Sequence, residues 1–172
     1  MSAFDLELIS EQHDKTRFHC GSESLDRYLR STARGHLSKG MSVTRVLVER
    51  DARTPKPVLG YFTLTTVLAE AMNWPGVAKG LPRMPVPVVL LARLAVAENS
   101  QGQGIARLLL AAAREIAASS MRGTGGIGLA VDAASEELVG FYEKYGFRRI
   151  SDHSLRLFLP TLSLCHAPGR LF

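Results

Sequence analysis

Between residues 88 and 117 the chain runs from an almost wholly apolar stretch, "VVLLARLAV" (88–96), through a polar turn into "IARLLLAAAREIA" (105–117), with Gly102 and Gly104 in the turn. A strand with no polar face has to be covered on both sides, which calls for a sheet with helices packed on it. Glycine is costly inside a helix and useful where main chain must come close to something, so the two glycines mark a helix entrance. Such an entrance holds free N–H groups. Together with the helix dipole they favour an anion, most readily a phosphate. Gln101 and Gln103 are expected to add side-chain donors. The residues alone also allow a glycine-softened turn with no ligand.

The rest of the chain fits the same plan. "FDLELIS" (4–10), "SVTRVLVER" (42–50) and "VLGYFTLTTVLA" (58–69) alternate as strands do, with "RTPKP" (53–57) as a turn between the last two. Residues 21–37 are expected to form one helix capped by Ser22. Leu25, Tyr28, Leu29 and Ala33 lie on one of its faces, and Arg27, Arg30 and Arg34 on the opposite face. A Gly/Pro-rich loop over 73–87 precedes the 88–96 strand. A helix follows over about 104–119, then a buried strand over 125–133. A helix over 135–147 comes next, capped by Ser135 and ended by Gly146, and a strand over 154–160 closes the order. Interleaved strands and helices in a chain of 172 residues imply a single domain over 1–172, an α/β mixed sheet with helices packed on it.

Several chemistries drop out. The turn has no Lys-Ser/Thr and so is no P-loop, and "GTGGIG" (123–128) follows a helix and precedes a strand, the reverse of a dinucleotide-binding context. Cys20 and Cys165, far apart and in no CxxC, suggest a reducing compartment. Cys20 has no recognisable His partner. His13, His19, His36, His153 and His166 show no metal-ligand spacing, so no metal is expected. The opening "MSAFDLELIS" lacks the form of a signal peptide, and the apolar run 86–97 is too short to cross a bilayer, so a soluble cytoplasmic protein without membrane partners is expected. A net charge of +5 favours an anionic partner, either a nucleic acid or a phosphorylated ligand.

"LARLAVAENSQGQGIARLLL" resembles the acetyl-CoA motif of the GNAT superfamily of N-acetyltransferases, [QR]-x-x-G-x-[GA], matched here by Gln101, Gly104 and Ala106. "FYEKYGF" (141–147) resembles the second GNAT motif, at fitting distance and in the right order. The resemblance implies the acyl-CoA N-acyltransferase fold, a central, mostly antiparallel sheet with one splayed parallel strand pair, flanked by helices. It also implies acetyl-CoA as acetyl donor. Leu94, Ala95 and Val96 would take the pantetheine and acetyl carbonyl, and Gln101, Gly102, Gln103, Gly104, Ile105 and Ala106 the pyrophosphate. Ser135, Phe141 and Tyr142 would complete the coenzyme site. Many GNATs have Asn where Ser135 stands, so this chain departs from the family there.

Acetyl transfer needs a neutral amine, a donor for the oxyanion and a proton for the leaving thiolate. A thiol ionises at roughly 8.5 and a phenol at roughly 10, so a phenol is still protonated at neutral pH. Tyr142 is the expected general acid, and the amide of Ala95 or Val96 the expected oxyanion donor. Glu98 and Asp132 end strands, but neither stands out as a base. An α-amine is already partly neutral near pH 7.7 to 8.0, so a base is not required.

"FHCGSESLDRYL" (18–29) is similar to the F-x-C-G-x-x-x-L-D-x-[YW]-L opening of one GNAT branch, the toxins of toxin–antitoxin pairs. That similarity implies acetylation of the amino group of aminoacyl-tRNA, a block of translation, neutralisation by a ribbon-helix-helix antitoxin, and a homodimer. Arg30, Arg34, Lys39 and Arg45 fall in a segment without acids. With Arg27 and Arg93 they are expected to contact tRNA, whose shape and phosphates dominate its recognition. Two other readings stay open, a GNAT acting on a small amine or peptide and an acyl-CoA-binding regulatory module without turnover.

Overall fold

The computed structural model describes residues 3–165; the tail 166–172, including His166, lies outside the described residues. In chain order the elements are β1 (Phe4–Leu8), β2 (His13–Asp14), α1 (Glu23–Ser31), α2 (Ala33–Ser38), β3 (Val43–Glu49), β4 (Lys56–Pro57), β5 (Gly60–Ala69) and β6 (Val86–Val96). A single 3-10 turn (Glu98–Ser100) leads into α3 (Ile105–Thr124), followed by β7 (Gly128–Asp132), α4 (Glu136–Glu143), β8 (Arg148–Arg149), β9 (Arg156–Pro160) and α5 (Thr161–Cys165). Seven strands form one sheet in the order β1-β3-β5-β6-β7-β9-β8, and β2 pairs with β4. β6 and β7 run parallel, while β1–β3, β3–β5, β7–β9 and β8–β9 are antiparallel. This is the mixed, mostly antiparallel sheet with one parallel pair that the GNAT resemblance implies, and the apolar 88–96 run lies within it as β6.

The chain forms two compact units. Among the described residues, one takes those up to Thr65 together with Arg93–Ala113, the other Thr66–Ala92 together with 114–165. In the first, the α1–α2 face supplies Tyr28, Leu29 and Ala33 to a core with Phe18, Val46, Tyr61 and Ala95. Phe18 meets Tyr61 edge-on at 5.6 Å, and Tyr28 stacks on Tyr61 at 6.4 Å. Each large apolar side chain buried there contributes about 1.5–3 kcal/mol. The core of the second unit centres on Val88, Leu90, Ala130 and Phe158, with Trp74 against Phe158 at 5.2 Å.

Three expectations change. The single helix over 21–37 is two helices, because Thr32 leaves helical geometry at φ −123°, ψ −39°. The break redirects the chain while Tyr28, Leu29 and Ala33 still reach one core, and Gly35 weakens any continuous helix beyond it. The helix expected to end near 119 runs to Thr124, held by buried Met121 and by the Thr124 hydroxyl donating to the Ser120 carbonyl. The turn 53–57 contains β4, and 148–149 form β8; two-residue strands carry no period to read.

Candidate active site

The parallel register of β6 with β7 covers Val89↔Leu129 to Leu91↔Val131, while β6 itself continues to Val96. A strand that outruns its ladder keeps N–H and C=O groups on one edge for an extended ligand. Leu94 and Val96 are half-buried and Ala95 is buried, so this strand end is firmly seated.

After Val96 the chain turns sharply, with Ser100 N–H donating to the Ala97 carbonyl at 2.8 Å. Gly102 and Gly104 then sit at φ +76° and +79°. An L side chain at such a φ is strained by about 1–2 kcal/mol. No atom lies within 4 Å of where a Cβ would stand at either position. Glycine is thus demanded by the backbone, and the space beside it is open. The first intrahelical bond of α3 runs from Leu108 N–H to the Gly104 carbonyl, so the amides of Ile105, Ala106 and Arg107 point out of the helix end. Buried Ile105 and Leu109 pin that end. Gly60 lets β5 pass close by, since a Cβ there would stand 2.9 Å from both the Ala95 carbonyl and Leu109. Open space, outward amides and an unladdered strand edge fit a pyrophosphate with an extended arm.

The two glutamines correct the sequence reading. Gln101 Nε2 donates inward to the Val96 carbonyl at 3.1 Å and the Cys20 carbonyl at 3.2 Å, and Gln103 Nε2 to the Asn99 carbonyl at 3.4 Å. Their carboxamides brace the turn, and the donors that face outward are main-chain amides.

Tyr142 lies on α4, buried and in edge-on contact with Phe141 at 5.1 Å and Phe147 at 5.8 Å. Burial pushes its phenol up to about 12. Among the described residues nothing hydrogen-bonds to that phenol. The helix end beneath it is closed tightly. Phe147 N–H donates to the Tyr142 carbonyl and Gly146 N–H to the Glu143 carbonyl, with Gly146 at φ +91°, the glycine closure that sequence placed there. Arg114 donates to the Tyr145 carbonyl at 3.0 Å and so holds the same turn from α3; no sequence signal assigned it that position. Ser135 is the residue before α4 but makes no side-chain capping bond, so its hydroxyl is not engaged in the cap.

Other candidates are occupied. Asp132 makes two bonds to Arg156, at 2.6 and 2.8 Å, which takes it out of use as a base. Glu98 is exposed, and its N–H donates to the His19 carbonyl at 2.8 Å. The Cys20 thiol is pushed up to about 11 by burial and by the neighbouring Asp26, so it is no thiolate at neutral pH. Among the described residues no group of three His, Cys, Asp or Glu is arranged to hold a metal ion, and no helix is long and apolar enough to cross a membrane.

The expected basic stripe is also altered. Arg27 and Arg30 both reach Glu23, at 3.7 and 3.4 Å, and Arg30 also donates to the Phe18 carbonyl. Arg34 stands on α2, beyond the break at Thr32, and pairs with Glu11 at 2.6 Å. Lys39 is exposed just after α2. Val46 on β3 packs with the α1–α2 core, so strand alternation puts Arg45 on the other face of the sheet, where desolvation lowers its pKa. The Arg93 guanidinium lies over the Tyr28 ring at 3.7 Å, a cation–π contact worth about 0.5–2 kcal/mol.

Residues 44–149 match the family model described as acetyltransferase (GNAT) domain. The chain is 35% identical over 155 residues, 88% of each protein, to a tRNA-acetylating toxin of Mycobacterium tuberculosis (strain ATCC 25618 / H37Rv). It is similar to AtaT complexed with acetyl-methionyl-tRNAfMet, with a TM-score of 0.83 and 29% identity over 94% of this chain and 96% of that one. It is also similar to a tyrosine-to-phenylalanine mutant of the AtaT toxin bound to the C-terminus of the antitoxin AtaR and acetyl-CoA, with a TM-score of 0.78 and 28% identity over 95% and 96%.

Proposed function

The chain belongs to the GNAT acetyltransferases, and from that premise we propose that it transfers acetyl from acetyl-CoA to the amino group of aminoacyl-tRNA, blocks translation by doing so, and acts as the toxin of a toxin–antitoxin pair. The observation that carries this reading is the turn at Gln101–Arg107, whose outward amides at the start of α3 follow a strand end left unpaired on its β7 side, in a chain that is like tRNA-acetylating toxins along nearly its whole length.

The outward amides from Gly102 to Arg107 would hold the pyrophosphate of coenzyme A, and Leu94 to Val96 its pantetheine. The amide of Ala95 or Val96 would donate to the oxyanion as the substrate nitrogen attacks the acetyl carbon. Tyr142, protonated throughout the neutral range, would donate to the sulfur as the C–S bond breaks. A C–N bond forms, coenzyme A leaves as the thiol, and the surplus proton of the amine, passed through solvent, restores the Tyr142 phenol. The exposed cations Arg27, Arg34 and Lys39 are the side chains best placed to meet tRNA phosphates, Arg27 and Arg34 by exchanging their exposed acid partners Glu23 and Glu11 for phosphate. A cytoplasmic location, a homodimer and a ribbon-helix-helix antitoxin belong to this reading through the toxin resemblance.

The test is transfer of radiolabelled acetyl to a full set of charged tRNAs, with uncharged tRNA as control. The expected result is label on at least one charged species and none on uncharged tRNA. Label on small amines alone would replace the acceptor, and acetyl-CoA binding without any product would leave a binding module.

A further inference from the structure

The segment "FHCG" (18–21) enters no step of the proposed chemistry. It lies along the braced turn and touches it twice. Glu98 N–H donates to the His19 carbonyl at 2.8 Å, and Gln101 Nε2 donates to the Cys20 carbonyl at 3.2 Å. The segment is tied to α1 in its turn. Cys20 N–H donates to Asp26 Oδ1 at 2.9 Å, and the other Asp26 oxygen lies 3.6 Å from His19 Nδ1. Asp26 is only 4% exposed. A carboxylate so buried is costly unless its hydrogen bonds are well made, and this one sits within a hydrogen-bonded relay from α1 to the coenzyme turn. A negative charge in this neighbourhood offers a pyrophosphate nothing directly, so any benefit to anion binding has to come through geometry. Gly21, at φ +95°, allows the segment to turn past Glu98, whose Oε1 would lie 3.5 Å from a Cβ at that position.

We infer that Asp26 is a positioning residue for acetyl-CoA. Through Cys20 and Gln101 it sets the pitch of the Gln101–Gly104 turn, and so the aim of its main-chain donors. The inference rests on the reading of that turn as the pyrophosphate grip.

Calorimetry with acetyl-CoA and the full chain tests both. Wild-type protein should bind, and its failure to bind would overturn the grip itself. With wild-type binding in hand, Asp26→Ala should weaken acetyl-CoA by about fivefold to tenfold, the net size of one ordinary lost hydrogen bond. The KM for acetyl-CoA should rise by the same factor, with kcat within about twofold. Asp26→Asn, which keeps an acceptor for Cys20 N–H, should return to within about twofold of wild type. A merely structural role would lower the melting temperature and leave the affinity of the folded fraction alone, and that result overturns the inference. If Asp26→Ala does not fold, Gln101→Ala removes the far end of the relay at an exposed position and should weaken acetyl-CoA similarly; unchanged affinity there overturns the inference as well.

Discussion

The turn entering α3 and the turn leaving α4 are both shaped by glycines at positive φ, yet they present opposite parts of the chain. At Gln101–Gly104 the side-chain amides face inward to carbonyls, and the main-chain N–H groups at the helix start face out. At Tyr142–Phe147 the main chain is closed on itself and clamped by Arg114, and one side-chain hydroxyl stays without a partner among the described residues. In the proposed reading the first turn binds with backbone and the second reacts with a side chain. A glycine motif by itself does not say which. What distinguishes the two is which groups the surrounding structure has already engaged.

That contrast predicts a separation of effects. Tyr142→Phe keeps the ring contacts with Phe141 and Phe147 and removes only the hydroxyl, so kcat should fall about 10²- to 10³-fold with acetyl-CoA affinity within about twofold. Steady-state kinetics beside calorimetry checks this, and an equal loss in both would end the division of labour. Gly104→Val should do the reverse. A β-branched residue at φ +79° deforms the turn, and acetyl-CoA binding should weaken about tenfold or more, with kcat at saturation within about threefold.

A smaller effect is expected on α1, where the cations are already paired. Glu23→Gln removes the acid paired with Arg27 and Arg30 and leaves Arg27 free, Arg30 still donating to the Phe18 carbonyl, so the KM for tRNA should drop about twofold and its salt dependence steepen by up to about one unit of slope. A KM that rises instead would mean that Glu23 orients those arginines. The smallest effect is with pH. Burial raises Tyr142 to about 12 from the ordinary phenol value near 10. Its protonated form is therefore favoured by folding, and that contribution is whole below pH 10 and fades as pH rises through about 12. The rate should show no decline from loss of the Tyr142 proton below about pH 11. A decline centred near pH 10 that disappears in Tyr142→Phe would contradict the burial.

Much of this was legible beforehand. The apolar run 88–96, the glycines after it and the leucine-alanine helix are local patterns, and each became the element it suggested. Gly146 closes the end of α4 for the same reason, because a glycine closure acts over a few residues, whereas Ser135 precedes the helix without a side-chain capping bond. The resemblance to GNAT toxins also lay in short contiguous motifs. The two-residue strands had no period to betray them, and the break at Thr32 depended on a core assembled from distant segments.

Sequence by itself determined the kinds of group available: glycine main chain at a helix start, a tyrosine on an amphipathic helix, and an excess of cations. Only the tertiary structure decided which of them stay free. Gln101 turns inward because the Cys20 carbonyl, 81 residues away, is there to receive it, and Arg34 is neutralised by Glu11 from 23 residues back. A hydrogen bond or ion pair depends on distance in space, and spacing along the chain carries no record of it beyond a few residues.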